Sequence, residues 1–250
     1  MNLNFSLPSV TISENLVSVK SITLTPLPTG EIAWGPFQDK LKTPDIGDKD
    51  GAYFIRTNGT KRTDNDTGDK ASILILDGDS SLNSDGEIIS GAPHPKRVFA
   101  ALRKQGITHC IYSSYSNGNN KANKYSACDP EFHKYRVIIP CDYNREQLAD
   151  LLEYIFTELH KSKVMLVNVP ENKTWSQAWY YPRVPDKNAE ELVKFYSYEG
   201  QPLDADQVCG NWEKSSTAKE PKVIVQSSYS PLEGQVDVID AFNNQFTCQD

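Results

Sequence analysis

Long apolar runs are missing from this 250-residue sequence: those present, such as residues 73–76 and 137–139, are strand-sized. A bilayer span needs roughly 20 apolar residues, so no membrane partner is expected. The first eight residues have neither the basic nor the continuous apolar stretch of a secretory signal, which makes a cytoplasmic location the expectation. Cysteine is sparse. The five residues at 110, 128, 141, 209 and 248 form no C-x-x-C pair, and an odd, dispersed set suits neither a disulfide framework nor a zinc site. Reduced thiols are expected, and the sequons at Asn58, Asn65 and Asn172 carry no weight without a signal peptide. Low-complexity sequence is absent too. With 38% hydrophobic and 24% charged residues, 14 Gly and 15 Pro, the chain is of ordinary globular composition, long enough for one large domain or two small ones.

Positive charge is in deficit overall, with a formal net charge of −7, which argues against a protein that coats nucleic acid with its whole surface. The distribution is uneven. Residues 96–145 carry nine Lys/Arg against three Asp/Glu, whereas residues 171–250 carry seven against thirteen. A basic middle in an acidic chain suits a polyanion track, because Lys and Arg release counterions from phosphates. A solvated helix and loop would give the same pattern.

Periodicity supplies the elements. Residues 52–55 read as a short strand between polar loops, and residues 71–76 as a buried strand ending at Asp77-Gly78-Asp79. Val98, Ala101 and Leu102 recur at helical spacing between Pro95 and the stop at Gly106, and a strand at 107–113 follows. Strand, helix, strand predicts a parallel crossover with functional groups beyond the strand ends. A polar loop at 114–130, a strand at 134–140 and a helix capped by Asn144 come next, the helix carrying the stripe Leu148, Leu151, Leu152, Ile155, Phe156 and Leu159. Further on come an apolar run at 164–169, an aromatic stretch at 175–183 best read as core, a helix from Ala189 and a strand at 195–198.

Asp77 and Asp79 carry the chemistry. Residues i and i+2 of a strand share a side, so both carboxylates can hold one Mg²⁺ or Mn²⁺. A strand-end turn with the two Asp residues capping amides is the structural alternative. Nucleotidyl transfer, phosphoryl transfer of the haloacid dehalogenase type and sugar transfer from a nucleotide sugar all use such a pair.

The order of four segments resembles a known family. Residues 73–79, then 108–116, then Tyr135-Arg136 entering 137–140, then 175–183 are similar to the primase-polymerase domain of phage and plasmid replication proteins, in the archaeo-eukaryotic primase superfamily. The resemblance spans approximately residues 30–205. It implies an α/β catalytic domain with a central mixed sheet flanked by helices, occupying residues 1–210. Residues 211–250 would be a linker or tail leading to a further domain, where a helicase domain or subunit is the implied partner.

The implied activity is metal-dependent DNA primase or primase-polymerase synthesis from nucleoside triphosphates on a single-stranded DNA template. Asp77 and Asp79 match the family's metal-binding pair, and Glu171, the only acid between Val164 and Pro182, is the candidate third carboxylate, with Asn168 and Asn172 beside it. Arg136 matches the basic residue expected at the phosphates, joined by Lys134 and Ser113. Tyr115 and Asn117 stand where histidine would be expected, so His133 is the candidate substitute. Lys96, Arg97, Arg103, Lys121 and Lys124 are candidates for template contact. Two alternatives stand beside this reading: a catalytically degenerate primase fold that binds nucleic acid, and a metal-dependent phosphatase.

Overall fold

The computed structural model of the chain describes residues 8–28, 30–63, 65–82, 88–118, 132–187 and 193–211. In chain order these contain β1 (Ser9–Val10), β2 (Ser13–Asn15), β3 (Thr25–Pro26), β4 (Ile32–Ala33), α1 (Trp34–Lys42), β5 (Asp45–Ile46), β6 (Tyr53–Ile55) and β7 (Lys70–Asp79). There follow β8 (Ser81–Leu82), β9 (Ile88–Ser90), α2 (Pro95–Lys104), β10 (His109–Ser113), β11 (Lys134–Asn144) and α3 (Leu148–Lys161). The last are α4 (Pro170–Lys173), β12 (Trp179–Tyr180), β13 (Arg183–Val184), β14 (Phe195–Tyr198) and α5 (Ala205–Asn211). The protein is thus a mixed α/β protein. The sequence-predicted helix from Ala189, the candidate template residues Lys121 and Lys124, and the tail from residue 212 lie outside the described residues.

Four strands form the central sheet in the order β14-β10-β11-β7, and every neighbouring pair is antiparallel. This corrects the expected mixed sheet. β7 and β10, the two ends of the strand–helix–strand unit, do run parallel, but β11 lies between them. β11, the next described strand after β10, pairs with it antiparallel, whereas adjacent parallel strands need a crossover between them. β11 then pairs with β7 from Lys134↔Asp79 to Pro140↔Ile73, slips beyond Pro140, and resumes at Tyr143↔Ala71. Proline has no N–H for the ladder, which places the irregularity where it falls.

Alternation along these strands sends side chains to two faces. On one face Leu74, Leu76, Val137 and Ile139 pack against Val98 and Leu102 of α2 and against α3, whose predicted stripe is buried at all six positions. At about 1.5–3 kcal/mol for each large apolar side chain fully buried, that stripe holds α3 down more firmly than its propensity does. Asn144 begins the turn into α3 as expected, its N–H donating to Gln147 Oε1 at 2.8 Å. On the other face Ile73, Ile75, Cys110, Tyr112 and Ile138 meet a second apolar layer that includes Trp34 and Phe37 of α1, Phe54, Trp179 and Tyr181. The aromatic stretch at 175–183 is core, as expected, with Trp175, Trp179 and Tyr181 buried. The run at 164–169 alternates like a strand, Val164 and Leu166 buried with Met165 and Val167 exposed, but joins no ladder.

Candidate active site

β7 does not stop before its acidic residues. Asp77, Gly78 and Asp79 are all in the ladder, opposite Arg136, Tyr135 and Lys134 respectively, so the strand-end turn is not how this tripeptide is used. Directly opposite residues share a face, and the four charged side chains therefore project together beyond Ile73, Ile75 and Ile138. Gly78 points to the other face, where Tyr135 lies across it: a Cβ there would sit 2.4 Å from the ring. The Tyr135 hydroxyl donates to the Pro93 carbonyl at 2.8 Å and holds the ring in place. Glycine separates the two carboxylates because an aromatic ring needs the space.

Each carboxylate has a cation opposite it. Lys134 bonds Asp79 in the more open pair, with side chains 21% and 42% exposed, whereas Arg136 and Asp77 are 12% and 17% exposed, with Nε 3.5 Å from Oδ1. Arg136 is held from several sides. Its Nη1 donates to the Tyr180 carbonyl at 3.2 Å, its guanidinium lies 5.8 Å from the Tyr112 ring and 5.5 Å from the Trp179 ring, and its buried Nε has no hydrogen-bond acceptor among the described residues. The Tyr112 hydroxyl donates to the same Tyr180 carbonyl at 2.8 Å, and burial pushes its pKa up to about 12. Burial raises the Asp77 carboxyl above its ordinary range; Arg136 opposes the rise and Asp79 adds to it, with smaller contributions from Lys134 and Glu171.

Glu171, exposed on α4, bears on Asp77 through its charge. Among the described residues no three His, Cys, Asp or Glu side chains gather into a metal-holding group, so the third carboxylate is not assembled with the other two. What α4 brings into contact with β7 is Asn172. It is fully buried, which excludes a glycan there; its Oδ1 accepts the Asp77 N–H at 2.7 Å and its Nδ2 donates to Asn168 Oδ1 at 3.2 Å. Arg56, fully buried, anchors this turn by donating to the carbonyls of Asn172 (3.2 Å) and Thr174 (3.4 Å) and to the Tyr143 hydroxyl (3.2 Å). The Trp175 and Trp179 rings lie 5.9 Å from its guanidinium. Sequence reasoning missed Arg56, because nothing in a short strand followed by a polar loop signals a buried cation.

The remaining predicted residues lie elsewhere. His133 is three positions from Arg136, an odd spacing that sends it to the covered face with Tyr135. There its ring meets that of His94 edge-on at 4.8 Å, and His94 caps α2 by accepting the Lys96 N–H at 3.1 Å. Ser113, opposite Tyr135, also belongs to the covered face; its hydroxyl accepts the Lys194 N–H at 2.7 Å and donates to the Lys194 carbonyl at 3.2 Å. Asn117 accepts the Lys134 N–H at 3.0 Å and so helps to start β11. Lys96, Arg97 and Arg103 ride on α2, across the sheet from the carboxylates. Arg97 donates to the Lys163 carbonyl at 2.8 Å, and Arg103 lies 5.7 Å from the Tyr198 ring.

Two hard oxygen donors on one strand face fit Mg²⁺ or Mn²⁺, ions commonly held by one or two carboxylates with substrate phosphates completing the shell. The donors would be Asp79, the more exposed, and Asp77. Comparison with family models, with curated proteins and with solved structures gives no match for this chain. No described helix is long and apolar enough to cross a membrane.

Proposed function

We propose that this protein is a metal-dependent nucleotidyltransferase of the primase-polymerase type, with a primase-like fold, extending or starting chains from nucleoside triphosphates on single-stranded DNA. One observation carries the reading: two carboxylates alternate on a central strand, and two cations stand opposite them on the neighbouring strand. A divalent ion bound there would align the attacking hydroxyl with the α-phosphate and neutralise the leaving pyrophosphate. Lys134 supplies a mobile ammonium for the phosphates. Arg136 serves as a fixed counter-charge that opposes the rise burial imposes on the Asp77 carboxyl, since its other contacts hold it in place. Asn172 orients Asp77 through the backbone.

The test is template-directed synthesis with labelled nucleotides in Mg²⁺ or Mn²⁺, beside an Asp77→Asn/Asp79→Asn variant. Products that depend on template and vanish in the variant support the reading. A second reading, a degenerate primase fold that binds a single strand without synthesis, is favoured by the ion-paired state of both carboxylates and by the separate position of Glu171. It predicts strand binding by the wild type, unchanged in the variant, and no product from either.

A further inference from the structure

The two ion pairs differ in a way that bears on the order of binding. Arg136 is held beside Asp77 by the Tyr180 carbonyl and the rings of Tyr112 and Trp179. Among the described residues Lys134 meets the Asp79 carboxylate and the Phe132 ring, 5.3 Å from Nζ, and its side chain is partly exposed. Its ammonium is a compact charge on a flexible stem, able to change partners where a forked and stacked guanidinium is not. Asp79, the most open donor of the face, is thus held by its most mobile cation.

We infer that this face takes a divalent cation and a polyphosphate as a single complex, with Lys134 acting as an exchangeable counter-ion that leaves Asp79 for the phosphates when the metal takes its place. The inference rests on the reading of Asp77 and Asp79 as metal ligands and adds the substrate form to it. Without polyphosphate, a metal must displace Lys134 from Asp79 and leave the ammonium beside it. Without metal, a polyphosphate meets two carboxylates. Together each ligand removes what opposes the other, and linkage requires the gain to be reciprocal.

The experiment is Mn²⁺ binding followed by the loss of its free electron paramagnetic resonance signal, with the full chain and no template. Lys134→Met is expected to bind Mn²⁺ alone about fivefold more tightly than wild type, the scale of one partly exposed ion pair. Lys134→Arg, which keeps the pair, and Lys70→Met, which removes the same charge from the far end of β7, are expected to stay at the wild-type value. Lys134→Met/Asp79→Asn is expected to lose the gain. A non-hydrolysable nucleoside triphosphate should tighten Mn²⁺ binding to wild type by about fivefold or more beyond the nucleotide's own chelation, and by less in Lys134→Met.

Equal Mn²⁺ affinity in wild type and Lys134→Met overturns the inference, as does an equal gain in Lys70→Met. Where Lys134→Met fails to fold, Lys134→Gln takes its place. The functional reading is scored separately. The expected Mn²⁺ pattern without template-directed product removes the polymerase and keeps the coupled site, whereas product formation without the Mn²⁺ pattern does the reverse.

Discussion

The two faces of the β7–β11 pair are made from interleaved residues of the same two strands, yet they end differently. On the helix-covered face the packing continues past the apolar run: Leu74 and Leu76 lead to Gly78, over which the Tyr135 ring closes. On the opposite face the apolar layer stops after Ile75 and Ile138, and the next two positions on each strand are charged. One strand can thus serve as core on one side and as a reactive edge on the other. The difference lies in what covers each face, since the backbone ladder is common to both.

The largest expected effect breaks the open face at its buried pair. Arg136→Met leaves Asp77 half-buried without a counter-charge and should cost about 3–5 kcal/mol in urea unfolding. Adding Asp77→Leu should recover most of that loss. A single-variant cost below about 1 kcal/mol would show that the pair is hydrated and the face more open than described.

The covered face should respond to acid next. His109 is fully buried; its Nδ1 lies 2.8 Å from the Ile107 carbonyl, Nε2 has no hydrogen-bond partner among the described residues, and burial pushes its pKa down to about 4. The unfolded chain therefore binds this proton more readily than the folded one. The stability associated with neutral His109 is complete above about pH 6.5 and is lost as pH falls toward about 4, a total of about 3 kcal/mol. Stability measured against pH in wild type and His109→Gln should differ in slope across that window and run parallel above it.

A smaller effect sharpens the comparison at the centre of the Asp-Gly-Asp tripeptide. Gly78→Ala drives a methyl into the Tyr135 ring and should cost about 1–3 kcal/mol, less in a Tyr135→Leu background. If Gly78 served a turn instead, the background would not matter. The smallest change belongs to the open pair: Lys134→Met should alter stability by less than about 1 kcal/mol, and high salt should erase the difference.

The elements were legible where periodicity or capping was strong. The strand carrying Ile73 to Leu76, the helix from Pro95, the Asn144 start and the α3 stripe all occur where the pattern puts them. The candidate site was legible in part. Asp77, Asp79, Lys134 and Arg136 converge, because strand alternation and a shared ladder relate them directly. His133 and Ser113 do not join them, since a displacement of one or three residues along a strand reverses the face and proximity in sequence conceals that reversal. Lys96, Arg97 and Arg103 belong to a helix whose apolar stripe commits it to the covered side. α1 escaped notice because its nine residues are short and Gly35 and Pro36 interrupt the helical pattern.

By itself the sequence determined which residues alternate, which stripe is buried and which residue types could bind a metal, since each follows from local backbone geometry and from the aversion of apolar side chains to water. Tertiary structure alone decided that β11 enters between β7 and β10, so that Lys134 and Arg136 face the two carboxylates. It also decided that Tyr135 demands a glycine between them, and that Asn172 and Arg56 arrive from 95 and 21 residues away to hold Asp77 and its neighbouring turn. These are pairings across long separations, set by which faces the packed layers leave available to one another.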